Sequence, residues 1–510
     1  VKNTRGKREE LTVIEVEGSA EKRGESYGSQ AGADIKSCVD FFYRIFSRQW
    51  DFRESSSGQD FSWREIRNQA RNHAEKYWPA IADYSPVLAA EMKGIARGAG
   101  VDWRDIVMIA LNEERESIVK GLKEEREISS TDGQSMASDG QTMAPGGQST
   151  VPADGQSAAS DGQSMSPGGQ PTAPAGQCTA FAATGRATRS GRTLLGQSWD
   201  NYLEWYEGFP SFLLRRKNSE GFEALSYAYP GMLAAAGINS AGIALCWNSV
   251  PRLKLKIGVP TYVIVAEVLR QETIGNALAA VFRAERAGCF NFLLANEEEI
   301  YNLEATPDDI EVSYSADYLG HANHYLTKRF RQEERRQERE QREGSRGSRQ
   351  TGQGQQESGS SRQTGQGQQE SGSSRQTGQG QKERSGQSRE QNSRSDKEED
   401  GQNSQNLNDS SDSYSSKEKS KRRASTLIRH NRICRRLKED AGNISTAKAG
   451  EFLRDHVNYP HSICRHPDKD SAYQDQLLTR AAWIMEPAER EILITAGPPC
   501  RYSFKKYTFS

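Results

Sequence analysis

The chain is poor in apolar residues. Of its 510 residues 34% are hydrophobic and 8% aromatic, too few for the whole length to pack as core, so part of it is expected to be disordered. No run approaches the roughly 20 apolar residues that cross a bilayer, which excludes an integral membrane protein, and no membrane partner is expected. Neither sign of charge dominates: 68 Lys and Arg against 69 Asp and Glu give a net charge of −1, which argues against a chain built to coat nucleic acid. Cysteine is sparse, with seven scattered residues, an odd number that does not read as a disulfide framework and leaves one thiol free for chemistry. The opening VKNTRGKREE has neither Met nor a charged n-region followed by an apolar stretch, so no signal peptide is expected, although a processed or truncated start would hide one.

The polar excess is concentrated in two places. Between Arg331 and Ser420 the apolar residues are Leu407 and Tyr414 alone, which cannot offset the entropy of ordering the backbone. RQTGQGQ recurs there at Arg349, Arg362 and Arg375, a spacing that matches no structural repeat. From Ser129 to Gln177 a Gly-Gln pair recurs at Gly133, Gly140, Gly147, Gly155, Gly162, Gly169 and Gly176. Ser, Thr or Pro follows each pair except the last, which Cys178 follows. The expected organisation is an N-terminal helical part (1–128), a disordered repeat (129–177), a first globular part (178–327), a disordered insertion (328–424) and a C-terminal part (425–510).

In the first part Ser85-Pro86 starts a helix whose apolar face is Val87, Leu88, Met92, Ile95 and Ala96, and Gly98 and Gly100 stop it. Asp102 caps the next helix. Strands are expected in CTAFAAT and TLLGQSWD, folded about a turn at Ser190-Gly191, then in SFLLRRK, FEALSYAY, MLAAAGIN and GIALCWNSV. A helical stretch from about Pro260 to Ala287 precedes CFNFLLAN, EIYNLEA and IEVSYS. Helices near Thr426 to Lys438 and Thr446 to His456 lead to TRAAWIMEP and REILITAGP. This order predicts an α+β or layered sandwich. The basic run Lys417 to Lys438 lacks interleaved aromatics, and Leu427, Ile428 and Ile433 give it an apolar face, so it reads as a solvated helix with no nucleic-acid partner.

Cys178 is the candidate for chemistry. A free thiol titrates near 8.5, and the thiolate is what attacks, so a cysteine nucleophile needs a base or a lowered pKa. The seven histidines carry no local protease signature. Cutting the bond before Cys178 would place its own α-amino group, of reference pKa about 7.7–8.0, beside the thiol, matched to proton transfer near neutral pH. The hairpin about Ser190 sets Asp200 within a few residues of facing Cys178. His321 and His324 flank Asn323, but no carboxylate or cysteine completes a ligand spacing, so no metal is expected.

The segments GQCTAF, GQSWDN, GINSAGIALCWNS, HANHYL and NYPHSICR, in that order, together with VEGSAEKRGESYGSQAG, closely resemble the acyl-coenzyme A:6-aminopenicillanic acid acyltransferase family of N-terminal-nucleophile hydrolases. The resemblance implies a four-layer αββα fold made as an inactive precursor that cleaves itself between Gln177 and Cys178, the two chains staying together. By the same resemblance Cys178 is the nucleophile in both reactions, Asp200 fixes the new α-amino group and Asn323 donates to the oxyanion, where one hydrogen bond is worth about 2.7–4 kcal/mol. Arg465 supports the thiolate, and Asn248 is a second oxyanion donor. The implied substrates are small amides or acyl thioesters, linear or of β-lactam type. No cofactor is implied beyond acyl-CoA as a co-substrate, and a cytoplasmic or peroxisomal location is favoured, although YTFS is not a peroxisomal ending.

Two features depart from the family pattern: Gln177 stands where a small residue is usual, and LNEERESI near Asn112 is looser than the usual Asn-x-Arg-x-Glu. The alternative is an unprocessed, inactive scaffold whose Gln-rich segments recruit partners.

Overall fold

The computed structural model describes residues 9–49, 63–115, 177–353 and 406–509. The expected Gly-Gln repeat up to Gly176 and the centre of the second insertion lie outside these residues. The chain divides into two units, 1–338 with 420–510, and 339–419. The first unit holds the sheets.

It opens with β1 (Thr12–Glu17), then α1 (Ala20–Gln30), α2 (Gly32–Gln49), α3 (Trp63–Glu75), α4 (Trp78–Tyr84), α5 (Pro86–Ala99) and α6 (Trp103–Ala110). Next come β2 (Thr179–Ala183), β3 (Leu194–Tyr202), α7 (Leu203–Gly208), β4 (Phe212–Lys217), β5 (Glu223–Ala228), β6 (Ala236–Asn239) and β7 (Ala244–Ser249). Helices α8 (Thr261–Val268) and α9 (Ile274–Phe282) precede β8 (Phe290–Ala295), β9 (Ile300–Ala305), β10 (Ile310–Ser315) and β11 (Tyr318–His321). After α10 (Lys328–Gln353) and α11 (Asn406–Glu439), α12 (Thr446–Leu453) leads into β12 (Leu477–Glu486), β13 (Glu491–Ile494) and β14 (Lys505–Thr508).

The strands form two sheets, ordered β1-β4-β5-β6-β7-β8-β9-β10 and β11-β2-β3-β12-β13-β14. They stack face to face: Trp483 Nε1 of β12 donates to Cys246 Sγ of β7 at 3.3 Å, and His321 Nε2 of β11 lies 3.1 Å from Glu304 Oε1 of β9. Alternation along a strand decides which layer each side chain joins. In β2, Ala180 and Ala182 enter the core between the sheets, while Phe181 and Ala183 pack outward with Ile433 and Leu437 of α11 and Phe452 and Leu453 of α12. In β12, Ala481, Trp483 and Met485 face inward, Ala482 and Ile484 outward. The N-terminal helices, α8 and α9 cover the other sheet, giving the four layers αββα. Among the described residues no helix is long and apolar enough to cross a membrane.

Ser85 caps α5 and Asp102 caps α6 as expected, by accepting from Leu88 N and Arg104 N. Gly98 does not end α5: the helix runs to Ala99, and Gly100 closes it in the left-handed region at φ +64°. Gly98 serves close packing. A Cβ there would lie 2.2 Å from Glu25 O of α1, and one on Gly24 of α1 would lie 2.1 Å from Glu91 O of α5. Val87, expected on the buried face, is 38% exposed.

Part of the insertion expected to be disordered is helical, in α10 and in the start of α11. Phe330 anchors the start of α10 among Val250, Cys289 and Tyr325, and pairs such as Arg336–Glu333 run along its surface, support that a count of apolar residues overlooks. The described residues before 116 carry α1–α6 and also β1, a strand that pairs in parallel with β4. In α11, Leu427 and Ile428 are exposed and the buried stripe is Ser425, Arg429, Ile433 and Leu437, four residues apart as one helical face requires.

Candidate active site

Cys178 precedes β2, in the sheet whose β2–β3 hairpin pairs Thr179 with Ser198. Its Sγ lies 3.8 Å from the backbone oxygen of Asp200, the antiparallel neighbour anticipated from the turn at Ser190-Gly191. Both Gln177 and Cys178 are buried, beside a narrow cleft walled by Trp199, Asp200 and Asn201 of β3, Trp205 of α7, and Trp247 and Ser249 of β7. Asn112, Glu113 and Arg115, just beyond α6, form the remaining wall. The N-terminal part thus supplies a side of the cleft, despite its looser sequence there. Arg115 Nη1 donates to Asn112 Oδ1 at 3.2 Å, Tyr262 OH donates to Glu113 Oε1 at 3.0 Å, and Arg252 Nη2 donates to Glu113 O at 2.8 Å.

Behind the cysteine lies a buried charge cluster. The Asp200 carboxylate accepts from Arg465 Nε at 3.1 Å and from Thr479 Oγ1 at 2.7 Å. Arg465 Nη2 donates to Ser425 Oγ at 2.6 Å, and Ser425 Oγ also accepts from Arg429 Nε at 3.2 Å. Arg429 reaches the cysteine itself: its Nη1 donates to Cys178 O at 2.6 Å and to Thr179 Oγ1 at 2.8 Å, while Nη2 donates to Asn323 Oδ1 at 2.9 Å. Arg429 is the residue the sequence reading missed. It sits in a run of basic residues, and the signal that finds it is the spacing of four from Ser425 and to Ile433.

Two guanidiniums and one carboxylate, all buried, leave a surplus of positive charge that a thiolate would balance. Burial raises the Cys178 thiol well above its usual range, the Asp200 carboxylate adds to this, and Arg429 opposes it. Burial also raises Asp200 against the lowering effect of Arg465 and Arg429. Arg429 is pushed down to about 9 by burial and then by Arg465.

Asn323 stands one residue behind the cleft wall, donating from Nδ2 to Ser249 O at 2.9 Å. Asn248 is a correction. Its neighbours on β7, Trp247 and Ser249, face the cleft, so alternation turns Asn248 away, toward its cross-strand partner Asn291, and both of its amide atoms are buried without a hydrogen bond.

A four-layer αββα sandwich with a buried cysteine leading into an inner strand is the fold expected from the resemblance to the N-terminal-nucleophile hydrolases. The chain belongs to the acyl-coenzyme A:6-aminopenicillanic acid acyl-transferase family, which matches residues 187–500 and places it among the cysteine amidohydrolases and acyltransferases. The match begins beyond Cys178. Among solved structures, a mutant of conjugated bile acid hydrolase from Clostridium perfringens is similar at 12% identity over 65% of this chain and 97% of that one, with a TM-score of 0.32. Penicillin V acylase from Agrobacterium tumefaciens is similar at 9% identity over 62% and 83%, with a TM-score of 0.31. None of the curated proteins matches the chain.

Proposed function

We propose that the chain is a precursor that cleaves itself between Gln177 and Cys178 and then works as an N-terminal cysteine acyltransferase or amidohydrolase on small amides or acyl thioesters. The observation that carries this is the hold on Cys178: its carbonyl oxygen is gripped by Arg429, its sulfur lies against Asp200, and the Gln177–Cys178 bond is buried at the cleft. In the first reaction the Cys178 sulfur attacks the Gln177 carbonyl carbon. The C–N bond breaks, the Cys178 nitrogen takes up the thiol proton, and water then hydrolyses the thioester to a Gln177 carboxylate and a free thiol. The released α-amino group supplies a base that the uncut chain lacks, because there the Cys178 nitrogen is part of an amide.

In the second reaction the thiolate attacks an acyl donor, whose amine or thiol leaves with the proton held by the α-amino group. Water or an amine then takes the acyl group from sulfur. Asp200 holds the ammonium with the lone pairs not used by Arg465 and Thr479. Arg465 favours the ionised form of Asp200 against the effect of burial, and Asn323 turns its amide from Ser249 to the oxyanion. The cleft walls Trp199, Trp205 and Trp247 favour an acyl group with apolar surface. The test supplies an acyl thioester with and without a primary amine. Acyl-amide formation, or faster thiol release with amine, supports transfer; thiol release indifferent to amine means hydrolysis; no turnover by processed protein refutes the reading.

A further inference from the structure

Away from the cleft, four ligand-type side chains converge. His456 follows α12, Cys464 and His466 flank Arg465, and Cys500 lies in the turn between β13 and β14. One donor atom from each lies within 4.8 Å of every other. His466 Nε2 is 3.1 Å from His456 Nε2, 3.4 Å from Cys500 Sγ and 3.7 Å from Cys464 Sγ. A single ring nitrogen has one lone pair or one proton and can satisfy only one of those three neighbours. An ion at the centre satisfies all four.

The separations fit that ion. With Zn–N about 2.05 Å and Zn–S about 2.3 Å, a tetrahedron has edges of about 3.3 Å between nitrogens and about 3.6 Å between nitrogen and sulfur. Two thiolates and two imidazoles select zinc over the hard cations, and four protein ligands leave no open position, which is the mark of a structural site. Cys464 and His466 are buried while His456 and Cys500 are exposed, so the ion has a way in from the surface.

We propose that His456, Cys464, His466 and Cys500 bind one structural zinc ion that ties the loop carrying Arg465 to the C-terminal turn at Cys500. Alternation along the segment sends Cys464 and His466 to the metal and Arg465 the other way, onto Asp200. The loop and turn already meet through Arg454 Nε, which donates to Pro499 O at 2.9 Å. The spacing, His-x7-Cys-x-His-x33-Cys, is not a compact finger pattern, and the expectation of no metal rested on the surroundings of His321 and His324 alone.

The test measures metal content of the full chain by mass spectrometry, on the wild type and on Cys178→Ala so that the result stands apart from processing. One zinc per chain is expected in both. A strong chelator should remove it, lower the melting temperature and speed hydrogen exchange in 454–466 and 498–501. Cobalt in its place should show the visible bands of a tetrahedral thiolate complex. His456→Ala and Cys500→Ser, at the exposed rim, should lose the ion while the far-ultraviolet circular dichroism is retained. Folded protein that takes up no zinc, a Cys464–Cys500 disulfide in its place, or zinc retained in a Cys464→Ser/Cys500→Ser variant each overturns the proposal.

Discussion

Arg429 donates to the carbonyl oxygen of Cys178 at 2.6 Å, joining a residue of a long basic helix to the residue at the proposed cleavage point. The same guanidinium reaches Asn323 Oδ1. It therefore sets the position of both the sulfur-bearing residue and the proposed oxyanion donor. Arg429→Lys keeps a charge but cannot span both acceptors from one planar fork. It is expected to slow self-cleavage by ten-fold or more, on the order of 1.4 kcal/mol, with a smaller effect on melting. Time-resolved gel analysis of freshly folded protein measures this. Cleavage at the wild-type rate would remove Arg429 from the account.

Asp200→Asn leaves Arg465 buried without its counter-charge. Breaking one partner of a buried pair costs about 3–5 kcal/mol, so a large fall in denaturation midpoint is expected. Asp200→Asn paired with Arg465→Met should recover much of that stability but none of the acyl transfer. Recovery of both would make the pair purely structural.

The approach of α1 and α5 rests on glycine. In Gly98→Ala the new Cβ would meet Glu25 O at 2.2 Å, and backbone cannot move aside as a flexible side chain can. A loss of about 1–3 kcal/mol is expected from forced separation, read by urea denaturation. Gly191→Ala, where nothing lies within 4 Å but φ is +74°, should cost less and act only through backbone strain.

Glu114 Oε1 accepts from Thr261 N at 2.8 Å and Thr261 Oγ1 at 2.9 Å, so the N-terminal part caps α8. Burial raises this carboxyl to about 7. A raised carboxyl pKa means that the folded chain holds the proton more tightly than the unfolded one, so this contribution is full below about 4.5 and is lost as pH rises to about 7, up to about 3 kcal/mol. Glu114→Gln should remove that slope and be the more stable form above about pH 7. Melting temperatures of both proteins, in a Cys178→Ala background from about pH 5 to about pH 8, decide it. A wild-type slope that survives in the variant belongs to other groups.

The hairpin that brings Cys178 to Asp200 was legible because its alternation and its turn are both local. The caps of α5 and α6 were legible for the same reason. β1, β11 and β14 were not: they are short, partly polar edge strands, and β1 pairs in parallel with β4, a partner far away in sequence. Arg429 was hidden because a buried arginine looks like its solvated neighbours until the helix face is known. Asn248 was misplaced because a resemblance gives its position on the chain, whereas the side of the strand it occupies follows from the register with β8.

The central claim is self-cleavage before Cys178, and the intact mass of purified protein, with N-terminal sequencing, tests it most directly. Two co-purifying polypeptides are predicted, the C-terminal one beginning Cys-Thr-Ala-Phe, together with a single uncut chain for Cys178→Ala. A folded wild-type chain that stays whole, and whose Cys178 is not acylated by a thiol-reactive substrate analogue, would contradict it and favour a scaffold that never becomes an enzyme.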